Sequence, residues 1–130
     1  MTAIRTSTAF GHNKFNAKAV EVGLKRFASK KEAKRWEYLS ALQDAGEIFG
    51  LTTQVHFELI PAQTKKNGRT ERKCEYIADF VYSKFVPGEN GRSVIVVEDV
   101  KGLRKGAAYQ LFVIKRKLML QKYGIEVVEV

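Results

Sequence analysis

The chain has 130 residues, enough for one domain with a real core, and carries 23 Lys and Arg against 14 Asp and Glu, a formal net charge of +9. That excess of cations makes a polyanion the expected partner, while no stretch approaches the roughly 18 consecutive apolar residues of a membrane span and the polar start lacks the apolar core of a secretory signal. The single cysteine, Cys74, excludes an internal disulfide and a cysteine zinc site and fits a reducing cytoplasmic setting, where it is expected to be a small buried hydrophobe.

Residues 1–18 are polar and basic without a sustained period and read as an arm, and residues 19–130 read as a single domain. Ala19 to Phe27, with Gly23 at the middle, suits a small hairpin. A helix is expected next. Ser29 can act as N-cap, Glu32 sits at the third helical position, Ala33, Trp36, Leu39 and Leu42 follow at helical spacing, and Gly46 stops it. Thr52 to Ile60 alternates, with Val55, Phe57 and Leu59 on one face and Gln54, His56 and Glu58 on the other, so His56 is expected at the surface.

A basic turn over Thr64 to Arg69 leads to a long strand from Arg72 to Phe85. Pro87 to Gly91 then turns the chain into a second strand, Val94 to Lys101. After a loop from Gly102 to Gly106, Ala107 to Tyr123 reads as a helix with Leu111, Ile114 and Leu118 as the stripe facing the sheet, and Gly124 ends it before a strand over Ile125 to Val130. The order is arm, α, β, β, β, α, β.

Two of these strands hold charges in Val/Ile-rich sequence. Strand alternation puts Asp99 and Lys101 on one face and Glu98 on the other, and a hairpin brings Asp79 alongside. Hard divalent cations that assist phosphodiester hydrolysis prefer carboxylate and carbonyl oxygens, so Asp79, Asp99 and the Val100 carbonyl are candidate ligands. Lys101 is placed to hold the attacking water and to offset charge developing on the phosphate. A bare Asp-x-Lys triplet is more often a structural ion pair at a strand end, and both readings stand on pattern alone.

Glu32 likewise has two compatible readings, as the acid of a capping box with Ser29 and as a carboxylate aimed at the sheet beside Trp36 and Leu39. Lys30, Lys31, Lys34 and Arg35 crowd the start of the first helix, and Arg104, Lys105, Lys115, Arg116, Lys117 and Lys122 crowd the second loop and helix. Both groups flank the acids, as a surface that draws DNA would require. Trp36, Tyr76, Tyr82 and Tyr109 read as core or rim residues. There is no phosphate-binding glycine loop and no nucleophile elbow.

The stretches KFNAKAVEV, FASKKEAKRWEYL, LTTQVHFELIP, EYIADFVY, VVEDVKG and IKRKLMLQKYGIEVVEV, running from Lys14 to Val130, together resemble the PD-(D/E)XK nuclease superfamily. Within it they resemble a family of small, mostly bacteriophage-encoded proteins similar to Holliday-junction resolvases. The resemblance implies an α/β, restriction-endonuclease-like αβββαβ core with a mixed central sheet flanked by helices. Glu32 matches the first-helix acid, Asp79 the first motif aspartate, Asp99 the second motif acid, Lys101 its lysine and Lys115 a basic position on the following helix. Ala78 stands where the superfamily name has proline, and Ala28 where similar chains often have aspartate.

The expectation is therefore a Mg²⁺-dependent endodeoxyribonuclease, with Mn²⁺ able to substitute and no organic cofactor. Asp79 and Asp99 would bind the metal, Glu32 would bind a second metal or orient the water, and Lys101 would activate the nucleophile. Lys30, Lys31, Lys34, Arg35, Arg104, Lys105, Lys115 and Arg116 would meet branched DNA, and paired incisions of a junction imply a homodimer. The competing expectation is a non-catalytic nucleic-acid-binding module in which the acids are structural.

Overall fold

The computed structural model describes residues 19–23 and 25–130; the expected basic arm, residues 1–18, lies outside the described residues. Val20–Val22 (β1) and Lys25–Phe27 (β2) form the small antiparallel hairpin, turning at Gly23. The first helix, α1, covers Lys30–Asp44. Ser29 is extended, and its hydroxyl accepts the Glu32 N–H at 3.2 Å. Glu32 reaches back in turn, but to the Ala28 N–H at 3.2 Å, so the box closes one residue ahead of the cap.

The strands β3 (Ile48–Ile60), β6 (Cys74–Phe85) and β7 (Ser93–Asp99) run antiparallel, and a two-stranded ribbon, β4 (Gln63–Thr64) with β5 (Thr70–Glu71), carries the basic turn. Helix α2 (Ala107–Tyr123) ends on Gly124 in the left-handed region, whose N–H returns to Leu120 O. It crosses back so that β8 (Val128–Glu129) can pair parallel to β7, as a parallel pair demands. The four-stranded sheet has the order β3-β6-β7-β8 and is mixed, with two helices packed on it, an α/β architecture.

Two apolar clusters sit on opposite faces of the sheet. Phe27, Ala33, Leu39, Ile48, Phe80 and Tyr82 pack with α1, with Trp36 against them; Leu59, Tyr76, Ala78, Val97, Phe112, Met119 and Val127 pack with α2. Strand β6 therefore changes sides in mid-strand. Tyr76, Ala78, Phe80 and Tyr82 would all share one face in a regular strand, yet the first two lie under α2 and the last two under α1. The change falls at Asp79, opposite Gln54 of β3. Gln54 has φ 53 and is, among the described residues, the one non-glycine with positive φ. A second irregularity, between Phe49 and Thr52, is carried by Gly50 at φ 68.

Several expectations are corrected. In α2 the buried side chains are Phe112 and Met119; of the expected stripe Leu118 is half-buried against the same core, while Leu111 and Ile114 are 53% and 56% exposed. The helix is apolar around much of its circumference, so spacing offered more than one stripe, and docking of Phe112 against the Tyr76 ring selects between them. His56 is buried rather than at the surface, with Nδ1 3.3 Å from Glu75 Oε2. Alternation states which face a residue takes, not whether that face meets water. Cys74 is half-buried against the α2 core, and the last strand spans only Val128–Glu129.

Candidate active site

Strand β7 ends in two carboxylates whose fates alternation separates. Glu98, 1% exposed, turns to the α1 face and takes a two-pronged ion pair from Arg35, with Nε to Oε1 at 2.7 Å and Nη2 to Oε2 at 2.6 Å. Tyr82 donates its hydroxyl to the same Oε2 at 2.5 Å. Asp99, also buried, turns to the α2 face. Tyr76 donates to its Oδ2 at 2.6 Å, and the Lys101 ammonium lies 2.8 Å from Oδ1. Burial, then the Asp99 charge, pushes the Tyr76 hydroxyl up, which keeps it a donor. Lys101 is steadied from below by the Phe112 ring, 3.6 Å from its ammonium.

Asp79 occupies the point where β6 changes sides, so it can be reached from both layers. Its Oδ2 accepts the Val100 N–H at 2.8 Å and its Oδ1 accepts the Gln54 side-chain amide at 3.3 Å. The Glu32 carboxyl of α1 lies within hydrogen-bonding reach of the Asp79 carboxyl. Burial, followed by the charges of Glu32 and Asp99, pushes Asp79 well above the ordinary aspartate range. Glu32 is raised chiefly by burial as well, so this pair holds a proton more readily than separate carboxyls would. The structure thus brings Glu32, Asp79, Asp99 and Lys101 to one corner of the sheet.

Among the described residues no three carboxylate, imidazole or thiol groups are gathered into a ready-made metal cage. Mg²⁺ does not need one, because it keeps several waters and is commonly held by one or two carboxylates plus substrate phosphate oxygens. A buried pair of carboxyls with raised proton affinity, beside a third carboxylate, is a donor set that fits such a cation. Val100 meets the acids through its N–H, which Asp79 accepts. The segment is also pinned by β8, since Val130 N–H donates to Asp99 O and Lys101 N–H donates to Val130 O, both at 2.9 Å.

The expected DNA-facing cations divide in two. Arg35 is engaged with Glu98, and Arg104 and Arg116 both reach Glu129, Asp99's neighbour on β8. Burial pushes Glu129 up, but hydrogen bonds from Tyr109, Arg116 and Arg104 outweigh it and hold the carboxyl below its ordinary range. These three arginines brace the scaffold. Lys31 donates to the Lys101 carbonyl and, with Lys34, Arg35, Tyr38, Val100 and Val130, lines a cleft of about 300 Å³ on the α1 side, which Glu32, Asp79, Asp99 and Lys101 do not line. Lys30, Lys34 and Lys105 are exposed, and Lys115 is half-buried.

Sequence reasoning missed Gln54, the Tyr76 hydroxyl and the Arg35–Glu98–Tyr82 brace. Tyr76 was hidden by alternation, which sets it on the face opposite Asp79; the change of sides at Asp79 is what brings its hydroxyl to Asp99. The brace joins residues far apart in sequence, and nothing local marks it. No curated protein and no solved structure matches the chain. A family profile does match residues 12–128, nearly the whole length, and the chain accordingly belongs to the family described as "Protein of unknown function (DUF1064)".

Proposed function

We propose that this chain is a Mg²⁺-dependent endodeoxyribonuclease of the PD-(D/E)XK type, acting as a cytoplasmic homodimer on branched DNA. The observation that carries the reading is the convergence of Glu32 from α1, Asp79 from β6, Asp99 at the end of β7 and Lys101 just past it on one corner, with Lys31 of α1 bonded to the Lys101 carbonyl. A divalent cation bound there would polarise the scissile phosphate and lower the pKa of a water. Asp79 and Asp99 would hold it, with Glu32 orienting the water. Lys101, kept in place by Asp99 and Phe112, stabilises negative charge on the attacking oxygen and on the phosphate. Lys31 and Lys34 neutralise the approaching backbone.

One observation favours a second reading, a basic nucleic-acid-binding module with a structural acidic corner. Both oxygens of Asp99 and both of Asp79 already have protein partners. Incubation with supercoiled, linear and four-way-junction DNA, with and without Mg²⁺ or Mn²⁺, separates the two. The nuclease reading expects metal-dependent nicking, lowered at least about 10²-fold in Lys101→Ala and Asp99→Asn. Binding without nicking on any substrate, or variants that cut as fast as the parent, would establish the module instead. Equal rates on linear duplex and junction would remove only the preference for branched DNA.

A further inference from the structure

Gln54 sits in mid-strand with φ 53, a conformation that side chains bearing a Cβ rarely adopt and that glycine adopts freely. Such an outlier persists only where its surroundings hold it, and outliers of this kind gather at functional sites. Here the outlier lies directly across from Asp79, at the point where β6 changes faces. Its amide is the side-chain donor to Asp79 Oδ1, while the other oxygen is held by the Val100 backbone N–H. At position 50 of the same strand, where the register shifts, the left-handed residue is a glycine. At position 54 the chain keeps a long amide in spite of the backbone.

We infer that Gln54 is a positioning residue of the acidic site: its left-handed backbone delivers an amide that fixes the Asp79 carboxylate toward the divalent cation. The inference rests on the nuclease reading, and it explains a feature that reading does not use. A carboxylate ligand is generally oriented by a hydrogen-bonding partner behind it, and loss of such a partner costs about 10–100-fold in metal affinity or activity. Gln54 does not touch the reacting atoms. It acts through Asp79.

The test uses the full chain and two variants that move backbone strain in opposite directions. Gln54→Gly removes the amide and relieves the strain, whereas Gln54→Ala removes the amide and retains the strain. Thermal melting in chelator should put Gln54→Gly at or above the parent and Gln54→Ala below it. Mn²⁺ titration by calorimetry should show both variants weakened about 10–100-fold, with the Mn²⁺ needed for half-maximal plasmid nicking raised in step. Unchanged Mn²⁺ affinity in Gln54→Gly, or affinity that follows melting temperature so that only the alanine variant is weakened, would overturn the inference and leave the nuclease reading intact. A parent that neither binds Mn²⁺ nor nicks DNA would remove both.

Discussion

Adjacent carboxylates in one strand, Glu98 and Asp99, have opposite duties because successive side chains leave a strand on opposite faces. Glu98 is enclosed with Arg35 and Tyr82 and ties α1 to the sheet. A buried carboxylate stripped of its cation costs far more than an exposed ion pair contributes, so Arg35→Ala should destabilise the fold by about 3–5 kcal/mol in urea melts. Replacing the whole brace by apolar groups, with Arg35→Met, Glu98→Leu and Tyr82→Phe together, should recover most of that loss, and a triple variant as unstable as the single one would refute this account. The separation of the two acids was legible in the sequence. The partner of Glu98 was not, since Arg35 among its neighbouring cations looks like any solvated or DNA-facing charge. Asp79 has its own signature: Asp79→Asn cannot ionise, so in metal-free buffer it should exceed the parent's stability near neutral pH. The sign follows from a folded-state affinity for protons raised above that of the unfolded chain. The burden is absent below the unfolded aspartate range and grows as pH rises through the raised folded value. At about pH 3, below that range, the two proteins should melt together.

Helix α2 illustrates how an element can be found by its period and still be turned about its axis from the expected stripe, of which Leu118 alone packs on the core. Its bounds follow from Gly106 and Gly124, but Phe112 and Met119, not Leu111 and Ile114, meet the sheet. Met119→Ala should therefore cost about 2–5 kcal/mol and Leu111→Ala within about 0.5 kcal/mol, as measured by denaturant midpoints. The opposite ranking would restore the stripe that spacing alone suggests. Strand β3 hid more. Its alternation is plain from Val55 to Leu59, yet the left-handed Gln54 has no local marker, since glutamine has no preference for that region. The face change in β6 depends on pairing with β3 and so appears only once the sheet is assembled.

Across the whole molecule the acids collect where the two apolar layers meet, at the C-terminal end of β7. One carboxylate comes from the helix of one layer and another from the opposite face of the sheet, and the side-changing strand between them supplies the third. Cation-rich composition and the αβββαβ order were readable from sequence, because they depend on counting and on period. Which cations are committed to Glu98 and Glu129 was not, because that depends on contacts across the fold.

The two hydrogen bonds that Val130 makes to either side of Val100 also govern the order in which the protein acquires its working parts during synthesis. A nascent chain that has emerged only as far as α2 already contains Glu32, Asp79, Asp99 and Lys101, but the strand that clamps Asp99 and Lys101 is still within the ribosome. The segment that closes the acidic corner also brings Val127 into the α2 layer, so the corner and that layer are completed together.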